Sequence, residues 1–129
     1  MKNGFKHALF VYIGMFVLLH VIGAVLPFLK PLIYIALFLV PFYLGWASAE
    51  DETTAGSAFV NGGIVAGVSG ALFSFIEFIW VSKWIIFIFS FIGLAAIPFW
   101  LSIPFTVLTF MGHFLFGGIG GAIRIAFEK

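Results

Sequence analysis

Cysteine is absent from this chain, so it has no disulfide framework, no thiolate metal site and no thiol nucleophile. Charge is almost absent too. Six Lys or Arg and five Asp or Glu are spread over 129 residues, 9% in all, against about a quarter in an ordinary soluble domain. So few ions cannot cover a surface that faces water on every side. The net charge of +1 leaves no basic or acidic face large enough for nucleic acid, and excludes that class of partner. No polar stretch is long enough to fold as a separate soluble domain.

What the chain does have is apolar sequence: 64% of its residues are hydrophobic, nineteen of them phenylalanine. It falls into five blocks, Ala8 to Leu29, Leu32 to Ala49, Ala58 to Trp80, Trp84 to Leu101 and Pro104 to Ile123. Most approach the roughly 20 residues a helix needs to cross a hydrocarbon core about 30 Å thick. The fold class this implies is an all-α polytopic transmembrane bundle of four or five spans. It forms one integral domain over residues 1–129, in lipid bilayer, at the cell membrane.

Lys2 and Lys6 ahead of the first block resemble the positive region of a secretory signal. However, the block is longer than the usual 7 to 15 apolar residues and no A-x-A site closes it, so it is expected to be a retained span. Pro27-Phe28-Leu29-Lys30-Pro31 then breaks the helical pattern and leaves room for a tight turn, making spans one and two an antiparallel hairpin. Pro41 is expected to kink the second span. The one strongly polar loop, Ala49-Glu50-Asp51-Glu52-Thr53-Thr54, suits the start of a helix, where side-chain oxygens cap free N–H groups. Consecutive acids point in different directions, so they do not make the convergent oxygen cage that calcium requires.

Gly63, Gly67, Gly70 and Ser74 recur at steps of four, three and four, which puts them on one helix face, and Gly62 and Ala66 widen that strip. In lipid no hydrophobic effect drives helices together, so close backbone approach between small residues must do so. Gly117, Gly118, Gly120 and Gly121 form a second such surface, with Gly117 and Gly121 in a small-xxx-small relation. The two surfaces face each other or face another copy, and packing within one chain is the simpler arrangement. They do not have the strand, G-x-G-x-x-G turn and helix order of a nucleotide loop.

After Lys83 some forty residues pass without a charge until Arg124. One helix of that length would measure about 60 Å, so a break is required. Trp100, Ser102 and Pro104 mark the expected place, because tryptophan favours the interface, serine caps helices and proline is accepted in a first turn. This predicts five spans, with Ser102 near a water interface and Lys129 on the side opposite the N-terminus. The competing arrangement has four. With five spans the Lys30 and Lys83 turns and the Arg124 and Lys129 tail are expected in the cytoplasm; with four, both termini are. Tyr12, Tyr34, Tyr43, Trp46, Trp80 and Trp84 lie near the proposed span ends, where aromatic belts form.

Three features of the chain look like a group of small, glycine-rich archaeal membrane proteins of unknown function. They are the hairpin break from Val25 to Leu32, the short acidic loop leading into Gly62-Gly63-Ile64-Val65-Ala66-Gly67, and the closing Gly117-Gly118-Ile119-Gly120-Gly121-Ala122-Ile123-Arg124. The resemblance covers most of the chain and implies membrane residence, four helices and an archaeal source. It supplies no active residue.

His20, Glu77 and His113 are the ionisable groups inside the apolar blocks, and such groups are costly enough at that depth to be functional candidates. The plain reading makes each histidine a hydrogen-bonding group between helices. One sharper reading is a pair of axial haem ligands; another is a proton or ion path through all three. No H-x-x-x-H or H-E-x-x-H spacing supports a catalytic metal, and no nucleophile sits beside a base. The sequence therefore predicts a protein without catalytic activity or cofactor. It would act through helix packing, as an oligomer or as an accessory subunit of a membrane complex. The alternative is a small transporter or channel component using His20, Glu77 and His113, and the third is a haem-binding redox subunit.

Overall fold

A computed structural model describes residues 2–94 and 96–128. The first helix is α-helical over Lys2–Val17, passes through a π turn at Leu18–Ile22 and ends in a short α segment, Gly23–Val25. Leu26, forced out of the helical region by the proline that follows, begins the reversal (φ −124°, ψ 75°), and Pro27–Leu29 complete it as a 3-10 turn. The second helix spans Lys30–Ser48, with Pro31 in its first turn and Pro41 inside it.

The acidic loop leads into the third helix, Ala55–Phe91. Thr54 is its N-cap: its backbone is extended and its Oγ1 accepts from the Ser57 N–H at 3.1 Å. Glu52 accepts from the Asn61 amide at 3.0 Å and ties the loop to the first turns of that helix. The fourth helix runs over Ala96–Glu128.

Among the described residues four helices, not five, are long and apolar enough to cross a membrane. The blocks from Ala58 to Trp80 and from Trp84 to Leu101 were separated by Lys83, but the third helix passes through Lys83 without interruption. Its end comes at Gly93, which has φ 71°. There the Leu94 N–H reaches Phe89 O at 2.9 Å and the Gly93 N–H reaches Ser90 O at 3.3 Å, the paired bonds of a Schellman stop.

The break expected at Trp100-Ser102-Pro104 does not occur. Ser102 is 1% exposed, and its hydroxyl donates to Phe99 O at 2.6 Å inside the fourth helix. Pro104 is accommodated within that helix, and Pro98 lies in its first turn, where the missing N–H breaks no intrahelical bond. Lys129 lies outside the described residues, but the helix leading to it returns to the end of the bundle that holds Asn3 and the acidic loop. Arg124 Nη1 donates there to Trp46 O at 3.0 Å, at the C-terminal end of the second helix, where the dipole favours a cation. Cysteines placed at Lys2 and Lys129 are therefore expected to react with a membrane-impermeant thiol reagent from the same side. Labelling from opposite sides would restore an odd number of crossings.

The third and fourth helices share the most extensive contact, the second packs against both, and the first lies on the second and third. Small residues set the central spacing. A side chain at Gly45 would strike the Gly117 backbone, one at Gly120 would strike Phe42 O, and one at Gly121 would strike Ala58 O. Gly62, Gly117 and Ala66 meet in the same region, and the face of Gly63, Gly67 and Gly70 receives the rings of Phe110, His113 and Phe114. Both glycine surfaces are thus used inside one chain, and Gly45 of the second helix joins them. Tyr12, expected near an interface, is instead 4% exposed and stacks on Phe73 with ring centroids 4.8 Å apart.

The two hairpins differ in length. Phe16 and His20 of the first helix meet Trp80 of the third, so the Pro27 turn, seven residues past His20, is level with about Phe87. Over residues 88–91 the third helix continues for about 6 Å beyond it, and its turn follows. Phe78 meets Phe105, which brings Trp100 to the level of Lys83 by the same rise. Trp84, Ile88, Phe91 and Trp100 at this end of the bundle are 60–76% exposed.

Candidate functional site

The π turn carries His20. A π turn inserts one extra residue into a helix and recurs at functional positions, and here it lies where the first helix crosses the third. His20 Nε2 is 2.8 Å from Oε1 and 3.0 Å from Oε2 of Glu77, a forked contact in which the Nε2–H donates to the carboxylate. The two side chains are 23% and 15% exposed, so the pair is largely withdrawn from its surroundings.

Aromatic rings surround it. Phe16, one turn before His20, lies 4.5 Å from the imidazole between centroids; Trp80 lies 5.7 Å from the imidazole and 5.6 Å from Phe16. The Lys83 ammonium sits 4.0 Å over the Trp80 ring, a cation–π contact, and no carboxylate pairs with it among the described residues. Phe16, Trp80 and Lys83 were not singled out as a group from the sequence. Their signal was present: Phe16 is four residues before His20, and Trp80 three after Glu77 and three before Lys83, the spacings of helical neighbours.

The structure brings together two of the three predicted polar groups. Glu77, three residues on from Ser74, continues the strip of the glycine seam by helical spacing, but its carboxylate turns to the first helix. His113 stands apart. Its ring packs over Gly70, seven residues or about 10 Å along the axis from Glu77, so the histidines do not share a depth. Its Nδ1–H donates to Thr109 O at 2.9 Å, and its ring centroid is 6.3 Å from that of Tyr12. Among the described residues no hydrogen bond or ion pair joins it to His20 or Glu77. The path through all three residues is therefore not assembled.

His20 has one ring nitrogen committed to Glu77 and His113 one committed to its own helix, at different levels, an arrangement that does not set up two axial ligands on one haem. Protein purified from haem-replete cells is expected to be colourless. A Soret band lost in both His20→Ala and His113→Ala would overturn that expectation.

No family model, no curated protein and no solved structure matches the chain. The class the fold defines is a single helical domain with four helices apolar and long enough to cross a membrane.

Proposed function

We propose that this is a small integral membrane protein without catalytic activity of its own, acting through helix packing as an oligomer or as an accessory subunit of a membrane complex. The observation that carries this reading is the projecting tip of the third and fourth helices. Trp80, Trp84, Trp100 and Lys83 stand at one level, next to the turn that holds Lys30, as interfacial anchors do. The helical length between this level and the polar end at Arg124 suits one hydrocarbon core. Past the anchors, from Ile85 to Leu94, the third helix and its turn carry no charge, and their apolar side chains need cover from protein.

The glycine surfaces are spent within the chain and leave the bulky tip as the surface for a partner. With four crossings Lys2, Lys6 and Arg124 share a side and outnumber Lys30 and Lys83, which favours that side as cytoplasmic.

The test is the size of the particle extracted from native membranes in mild detergent. The parent is expected to run as an assembly larger than one chain. Ile88→Gln combined with Phe91→Gln should reduce it to a monomer without altering its thermal unfolding. A parent that runs as a lone monomer would sink this reading.

A second reading, a small proton-transporting component, is favoured by one observation: an ionisable pair on a π turn inside an apolar bundle. His20 and Glu77 can exchange a proton across 2.8 Å. Proton flux in liposomes that the parent shows and Glu77→Gln lacks would put this reading first.

A further inference from the structure

Between the first and third helices an apolar groove of about 450 Å3 opens on the outer face of the bundle, within the usual size of a ligand pocket. Leu9, Ile13 and Phe16 form one wall, and Val68, Leu72 and Ile76 the other. From Phe5 to Phe16 it is about 17 Å long by helical rise. Ser69 also lines it, but the Ser69 O–H is spent on Val65 O at 2.6 Å and is not free to donate into the groove.

Both walls lead to the same polar end. Continuing the first wall by four residues from Phe16 reaches His20. Continuing the second from Ile76 by four and by seven reaches Trp80 and Lys83. The groove thus runs from an apolar interior to the exposed Lys83, whose only described partner is the Trp80 ring. Glu77, the acid at this end, is already held by His20. At the level of Lys83 and Lys30 no acid stands among the described residues, so this rim is basic. A partner helix would need a strip of small residues for close approach, whereas these walls are Leu, Ile, Val and Phe, which suit a flexible chain.

We propose that this groove binds an anionic phospholipid, with one acyl chain lying between Leu9, Ile13, Leu72 and Ile76 and the phosphate meeting the Lys83 ammonium. The site rests on the membrane-spanning reading but on neither the oligomer nor the proton reading. It makes the contact between first and third helices sensitive to lipid composition, because the chain fills the space beside the His20–Glu77 pair and the headgroup sits on Lys83 next to Trp80.

The experiment uses the full chain with Trp46→Phe, Trp84→Phe and Trp100→Phe, which leaves Trp80 as the sole tryptophan at the head of the groove. It is reconstituted into vesicles in which a small fraction of the lipid carries brominated acyl chains, either on phosphatidylglycerol or on phosphatidylcholine. Flotation with the vesicles is measured first; a chain that does not float sinks the membrane reading and the proposal with it.

Brominated phosphatidylglycerol is expected to quench Trp80 at least threefold more than brominated phosphatidylcholine and to saturate. Lys83→Gln should bring the ratio of the two close to one, and Val68→Phe with Ile13→Phe, which fill the groove, should remove the saturable part for both lipids. Equal quenching by the two lipids in the parent overturns the proposal. So does a preference that survives Lys83→Gln, which would mean that the headgroup is not read by this lysine. A preference that survives groove filling overturns it as well, as ordinary surface attraction without a bound chain.

Discussion

Replacing Gly121 with Leu is expected to stop the third and fourth helices from closing on each other, with a loss above about 3 kcal/mol, enough to prevent a folded product. The cause is what the new side chain would meet. At Gly121 it is the Ala58 carbonyl and at Gly45 the Gly117 backbone, and neither can move without shifting a whole helix. At Gly67 it is the edge of the Phe110 ring at 3.0 Å, which can rotate aside, so Gly67→Leu should cost about 1–2 kcal/mol. At Gly112 nothing lies within 4 Å, and a side chain there should be tolerated. Phe87, 54% exposed on the tip, should be equally tolerant to Ala. Thermal unfolding in detergent, followed by tryptophan fluorescence, ranks these variants. Equal midpoints for Gly121→Leu and Gly112→Leu would remove the glycine seam as the organiser of the fold.

The second large effect is expected at the His20–Glu77 pair. Removing one partner of a buried ion pair costs about 3–5 kcal/mol because the other is left without compensation. Here the groups are 23% and 15% exposed, so about 2–3 kcal/mol is expected for His20→Ala or Glu77→Ala alone. Glu77→Gln keeps an acceptor for the imidazole N–H and should lose less. Leu at both positions should recover part of the loss, since an apolar pair of similar volume leaves no stranded polar group. A double-mutant cycle measures this: additive losses would mean that the contact contributes nothing to stability.

The apolar blocks made the helical class legible, because a chain this poor in charge has few ways to bury its backbone polar groups. The Pro27–Pro31 reversal was legible for the same local reason, two prolines in five residues. The number of crossings was not. Trp100, Ser102 and Pro104 carry the vocabulary of a helix boundary, but a serine hydroxyl can bond back to its own helix, and a proline in a long apolar helix leaves only limited repair to its neighbours. The true stop, Gly93, is a lone glycine amid Phe, Ile and Leu, and its positive φ emerges only from the backbone.

Of the polar groups, each could be located in the sequence, but which of them would meet could not. His20 reaches Glu77 because the π turn shifts the register of the first helix, and no residue in Leu18–Ile22 announces such a turn. His113 remained with its own helix because the backbone carbonyl at Thr109 is the nearer acceptor.

That π turn makes the pair depend on length as well as on composition. Removing a single residue from Leu18–Ile22 would restore uniform α pitch and leave both Phe5 to Phe16 and the segment from Gly23 to the Pro27 turn on their present faces, because the π turn absorbs one extra residue; only the side chains inside the turn, His20 among them, would change direction. Swapping one aliphatic for another in the same stretch would leave the spacing untouched. A one-residue gap in this part of the chain should therefore leave the bundle assembled and cost the His20–Glu77 contact alone.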